Sequence, residues 1–167
     1  RTREILLGDG VSQAIPERIR REHGRGATVW VLSDERTEAA AGAALKRALR
    51  GLPVVEAVLP GSPKPECNPE LAGRLTARAR EASAGLILSV GGGTLSDLGK
   101  MVSAELGVPN WGLMTALSMD AHASGTANLK TSAGAISHPV TASRRIFCDT
   151  EVLQGAPEEL FLAGLGD

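Results

Sequence analysis

Seven consecutive residues carry the clearest chemistry in this chain: Gly91-Gly92-Gly93-Thr94-Leu95-Ser96-Asp97. They follow residues 86–90 (LILSV), a continuous apolar run. Such a run is the pattern of a parallel strand covered on both faces. Glycines after a buried strand let the backbone approach a ligand and turn its N–H groups toward it. A helix N-terminus just beyond adds a partial positive charge suited to phosphate. Thr94-x-x-Asp97 also fits a capping box. A tight turn before a capped helix needs no ligand, and a lone glycine triplet would favour that reading. Strand, triplet and cap in succession instead predict a loop that binds phosphate. The spacing is not the G-x-G-x-x-G fingerprint, which argues against an ordinary Rossmann domain.

A second candidate lies at Asp34, which ends the β-branched run 28–32 (TVWVL). An acid there commonly hydrogen-bonds an adenosine ribose. It serves equally well as a helix cap for the segment beginning near Thr37. Arg36 would favour a 2′-phosphate, so NAD and NADP both stay open. The histidines are His23, His122 and His138. None stands at a recognised metal-ligand spacing. His23 ends a charged helix, and His138 precedes Pro139 in a turn. His122 either lines a cleft or is an ordinary loop histidine. Cys67 and Cys148 lack metal and redox spacing and read as free thiols of a reducing cytosol.

The elements that must position these residues alternate. Strands are predicted at 5–7, 28–32, 54–59, 86–90, 110–115 and 145–148. Helices are predicted from Pro16, over 38–49, from Asn68 or Pro69 to 83, over 94–106, and from Pro157. Residues 60–65 are an extended loop, and 121–140 are a hairpin or an irregular excursion. This order implies the α/β class: an open, mainly parallel sheet with helices on both faces, Rossmann-like, joined by right-handed crossovers. With 167 residues the chain has the size of one domain. Its aromatics are only Trp30, Trp111, Phe147 and Phe161, so the core must rest on Ala, Leu, Val and Ile. The net charge of -1 gives no footprint for nucleic acid or an anionic membrane. No apolar run reaches a membrane span and no secretory signal is visible, so a cytoplasmic protein is expected.

From the glycine loop onward the chain resembles the sn-glycerol-1-phosphate dehydrogenase group. That group lies within the superfamily of glycerol dehydrogenases, iron-containing alcohol dehydrogenases and dehydroquinate synthases. Beside the glycine block, the resemblance is carried by Thr115-Ala116-Leu117-Ser118-Met119-Asp120 and by Phe147-Cys148-Asp149-Thr150-Glu151-Val152-Leu153. It continues through Ala156-Pro157-Glu158-Glu159-Leu160 into Ala163-Gly164-Leu165-Gly166-Asp167. Four blocks in family order are far more specific than any one.

The resemblance implies cofactor contacts from Gly92, Gly93, Thr94, Leu95, Ser96 and Asp97, and from Thr115, Ala116, Leu117 and Ser118. It gives Asp120 to the polyol substrate and Ser124 to the nicotinamide end of the cofactor. It gives Asp167 to both the substrate and a catalytic divalent metal, zinc by first choice, with nickel or iron as alternatives. Thr115 and Ser118 follow a strand and can offer hydroxyls to phosphate or ribose. Asp120 can accept hydrogen bonds from an alcohol. Lys130 faces the cofactor or a substrate phosphate, or is a solvated hairpin lysine.

The implied activity is metal-dependent, NAD(P)-linked interconversion of glycerol 1-phosphate and dihydroxyacetone phosphate. The alternatives are a dehydroquinate synthase-like lyase and cyclase, and a nucleotide-binding module without catalysis. Thr94 and Ser118-Met119-Asp120 point away from dehydroquinate synthases. Ala121-His122 departs from the Gly and aromatic common in the family. Family members carry about as much chain again, in a helical domain whose two histidines complete the metal site. The expectation is a nucleotide-binding domain at 1–156 and the start of a helical metal-binding domain at 157–167. By itself this chain should be inactive, with an incomplete metal site. The full-length protein is expected to be a homo-oligomer.

Overall fold

The computed structural model describes residues 1–166. Its strands are β1 (Glu4–Gly8), β2 (Thr28–Asp34), β3 (Val54–Leu59), β4 (Ala84–Val90), β5 (Asn110–Leu113), β6 (Thr126–Thr131), β7 (Gly134–Pro139) and β8 (Arg145–Asp149). Six of them form one sheet in the order β1-β8-β5-β4-β2-β3, parallel at every pairing. β6 and β7 form a separate antiparallel hairpin.

The helices are α1 (Ile15–His23), α2 (Glu35–Ala48), α3 (Pro69–Glu81), α4 (Gly93–Leu106), α5 (Thr150–Leu153) and α6 (Glu158–Gly166). Alternation along β2 shows how they layer. Val29 and Val31 pack with Ile15 and Ile19 of α1 and with Leu45 of α2. Trp30 and Leu32 face the other way, onto Leu75 of α3 and Leu98 and Val102 of α4. Both faces of β2 are therefore covered, as its unbroken apolar run requires.

Local signals explain the helix starts. Pro16 lies in the first turn of α1. The Asn68 side chain accepts from the Leu71 N–H at 2.8 Å, and Pro69 follows at the first helical position. Asp34 and Thr37 form a reciprocal capping box, so α2 begins at Glu35, three residues before the expected start. The excursion after β5 resolves into a turn followed by the hairpin. β5 ends at Leu113, two residues before its expected end. The short α5 was not expected; the Asp149 side chain caps it on the Glu151 N–H at 3.2 Å. Among the described residues no helix is long and apolar enough to cross a membrane.

Candidate active site

The glycine triplet sits between β4 and α4, at the carboxyl edge of the sheet. Gly91 has φ 144°, a conformation that side-chain-bearing residues rarely adopt. Its N–H donates to the Leu113 carbonyl at 3.0 Å, tying the loop to β5. Gly92 is the N-cap residue of α4, without a side-chain capping bond. The expected Thr94/Asp97 capping box is therefore absent. The helix starts at Gly93, which leaves Asp97 two residues too deep to cap it. The first helical bond runs from the Ser96 N–H to the Gly92 carbonyl at 3.0 Å. The N–H groups of Gly93, Thr94 and Leu95 precede it and are left over by the helix. This is the arrangement that receives phosphate at a helix N-terminus. A Cβ on Gly93 would collide with the Met119 side chain, so the absence of one keeps the loop and the 119–121 turn in close contact.

Asp97 has another role. Its Oδ1 lies 2.9 Å from Nζ of Lys100, which is fully buried. Its Oδ2 accepts the Asn128 N–H at 3.0 Å. Lys100 Nζ also donates to the carbonyls of Ala121 (2.7 Å) and Thr126. One buried ion pair thus fastens α4 to both ends of the turn that carries Ser124, and to the hairpin. Sequence reasoning missed Lys100. The available signal was its i,i+3 spacing from Asp97 on a helix whose one other charged residue is Glu105.

His122 lies beneath the loop at 2% exposure, with Nε2 3.0 Å from the Gly91 carbonyl. A carbonyl only accepts, so Nε2 carries the proton and donates. Burial lowers the His122 pKa, and the Gly91 hydrogen bond opposes that in part. The imidazole is neutral and supports the loop from below; it is not exposed in a cleft.

A cleft of about 490 Å³ opens beside the α4 N-terminus. It brings together Gly93, Thr94, Asp97, Asp120, Ser124 and Lys130, with Asn128 of the hairpin. Ser124 Oγ lies 3.0 Å from Thr126 Oγ1. Lys130 is exposed and pairs with Glu66 at 2.6 Å across the mouth. Asp120 is exposed and also borders a neighbouring cavity of about 460 Å³ shared with Leu117, Met119 and Gly164 of α6.

Other expected contacts stand apart from this cleft. Gly92, Leu95, Ser96, Thr115, Ala116 and Ser118 do not line it. Ser96 is fully buried and its hydroxyl points into protein, without a partner. Thr115 and Ala116 are also buried. The Asp34 carboxylate accepts the Thr37 N–H at 2.8 Å, so the capping alternative accounts for it. Cys67 lines the cleft wall, but burial and then the charge of Asp97 push its thiol up to about 12, so it is no nucleophile.

The donor set fits a dinucleotide phosphate, because Gly93 and Thr94, whose N–H groups the helix leaves over, line a cleft with hydroxyls and a lysine. It does not fit a metal. Among the described residues no three His, Cys, Asp or Glu side chains gather. The expected ligand Asp167 lies outside the described residues.

Comparison with known proteins agrees with this architecture. Residues 6–157 match the family described as iron-containing alcohol dehydrogenase. A curated glycerol-1-phosphate dehydrogenase [NAD(P)+] of Methanocorpusculum labreanum is 30% identical over 165 residues, 99% of this chain and 44% of that protein. Its counterpart from Methanosphaerula palustris is 40% identical over 89 residues, 52% of this chain and 25% of that one. A probable glycerol dehydrogenase from Sinorhizobium meliloti superimposes with TM-score 0.81 at 22% identity, over 99% of this chain and 44% of that one. The chain spans less than half the length of these relatives. On the match over residues 6–157, the chain belongs to the iron-containing alcohol dehydrogenase family.

Proposed function

We propose that the protein of which this chain is part is an NAD(P)-dependent dehydrogenase interconverting glycerol 1-phosphate and dihydroxyacetone phosphate. The observation that carries the reading is the set of free N–H groups at Gly93, Thr94 and Leu95, beside a cleft that also holds Asp120 and Ser124. The curated relatives named glycerol-1-phosphate dehydrogenase support the substrate. In the oxidising direction the carbinol C–H bond breaks with its electron pair and the O–H proton leaves, giving the ketone. The nicotinamide supplies the hydride acceptor.

This chain's residues bind and orient. The α4 N-terminus holds the pyrophosphate. Ser124 approaches the nicotinamide end, and Asp120 accepts hydrogen bonds from the substrate hydroxyls. Lys130 offers positive charge to a phosphate at the cleft mouth. Asp34 and residues 115–118 are proposed to bound the nucleotide more distantly. A catalytic metal would need ligands beyond the described residues, with Asp167 the proposed first of them. Residues 157–167 are assigned to the start of a second domain. The exposure of Leu160, Phe161, Leu162 and Leu165 on α6 supports this.

The test is the full-length polypeptide with dihydroxyacetone phosphate and NADH or NADPH. Oxidation of the reduced cofactor, with glycerol 1-phosphate as product, is the expected result. No oxidation with any small ketone phosphate, in a protein that still binds NADH, would overturn the reaction while leaving the nucleotide site standing.

A further inference from the structure

The chain has three methionines, Met101, Met114 and Met119. They differ in exposure. Met101 is partly buried and packs against the core that contains Trp30, Leu98 and Val102. Met114 is buried, with its sulfur 3.4 Å from the Cys148 sulfur. Met119 stands in solvent, at 43% exposure.

Met119 also borders both cavities, the cleft beside the α4 N-terminus and the neighbouring one beside α6. Its Sδ lies 2.0 Å from the point where a Cβ of Gly93 would stand. Allowing a carbon–carbon bond of about 1.5 Å, the sulfur is within about 3.5 Å of the Gly93 Cα. Gly93 is the first residue of α4, and its N–H is one of those the helix leaves over. A thioether sulfur is only a weak acceptor, so Met119 leaves these donors to a ligand.

Oxidation reverses that property. A peroxide transfers one oxygen to the sulfur: the O–O bond breaks, an S–O bond forms, the sulfur loses two electrons, and the peroxide leaves as water. The product is a polar sulfoxide in place of an apolar thioether. Its oxygen carries partial negative charge and accepts hydrogen bonds. Attached to a sulfur beside Gly93, it competes for the N–H groups that a phosphate would take, and it adds bulk where the glycine leaves none. The thiols are poor competitors for the oxidant, since the thiolate is the reactive form. Burial and then the charge of Asp97 push Cys67 up to about 12, and burial raises Cys148 as well.

We propose that Met119 is an oxidation site that controls the nucleotide cleft: a peroxide converts it to the sulfoxide, dinucleotide affinity falls, and reduction to the thioether restores it. The inference rests on the nucleotide reading of the α4 N-terminus given above. It adds to that reading a reversible loss of cofactor carried by one side chain of the cleft wall.

Treatment of the full-length protein with dilute hydrogen peroxide tests it. Peptide mass mapping should find the added oxygen on Met119 before Met101 or Met114. NADH affinity, read by fluorescence titration, should fall about tenfold or more as the Met119 sulfoxide forms. Methionine sulfoxide reductases should remove the oxygen and recover the affinity, a step that needs no variant. Met119→Leu has no sulfur there, so its treated and untreated forms should bind NADH alike. Oxidation of Met101 or Met114 ahead of Met119 would overturn the proposal. So would an affinity that survives complete sulfoxide formation, a loss that the reductases do not reverse, or an equal loss in the leucine variant. Untreated wild type that binds no NADH would sink the nucleotide reading and this inference together. Untreated protein that binds NADH, with oxidised protein binding equally well, would sink this inference alone.

Discussion

Lys100 Nζ and Asp97 Oδ1 are 2.9 Å apart, less than one turn of α4 from each other, with both side chains buried. The same ammonium group holds the Ala121 and Thr126 carbonyls, so the pair is the joint between the phosphate-binding helix and the turn bearing Asp120 and Ser124. Removing one member strands the other. Lys100→Met should destabilise the fold by roughly 3–5 kcal/mol, measured by urea denaturation. The double variant K100M/D97L should recover part of that loss, because neither charge is then left alone. Additive losses in the double variant would show that the two residues do not act as a pair.

Gly93 meets Met119 where a Cβ would stand. Gly93→Ala should therefore shift the loop against the 119–121 turn and weaken NADH binding roughly tenfold. Fluorescence titration of NADH reads this directly. The flexible Met119 side chain can yield, so the unfolding midpoint should change little. G93A/M119A should recover part of the affinity. Unchanged affinity in G93A would remove Gly93 from the phosphate site.

His122 makes stability fall in mild acid. Its pKa is lowered by burial, with the Gly91 hydrogen bond opposing in part. Below the ordinary histidine value of 6.5 the unfolded chain binds a proton that the folded chain refuses. Stability contributed by the neutral ring is thus fully present above pH 6.5. It declines as pH falls from there toward the lowered folded value. Thermal unfolding of wild type should show this slope, and His122→Gln should flatten it. An identical slope in the variant would assign the effect elsewhere.

Asp149 acts in a lower window. Burial by itself would raise its pKa, but hydrogen bonds from Ser12, Gly10 and Glu151 outweigh that and lower it. The Gly10 and Ser12 N–H groups each donate at 3.0 Å, joining the turn after β1 to the end of β8. A lowered carboxylate pKa contributes stability that is present above 3.8 and is lost as pH falls through the folded value. Asp149→Asn should cost about 1–3 kcal/mol at neutral pH and reduce the steepness of acid unfolding below pH 3.8. Unchanged acid unfolding in the variant would count against the assignment.

Much of this protein is written in local sequence. The run at 86–90, the glycines after it and the helix behind them follow from short-range rules of burial period and backbone freedom. The parallel α/β class and the family blocks are equally legible, because strand and helix signals alternate along the chain. Tertiary structure decided what each polar side chain of the glycine block does. Asp97 reads as a cap by spacing, yet it is turned to Lys100, because the helix begins two residues earlier than the cap requires. Ser96 reads as a cofactor contact by resemblance, yet its position on α4 turns its hydroxyl into the protein. His122 looks like a loop residue in sequence and becomes a buried support, since its partner, the Gly91 carbonyl, is thirty-one residues away. Spacing along a chain fixes which face a residue takes within its element. What that face meets depends on how distant elements pack, and only the folded molecule sets that.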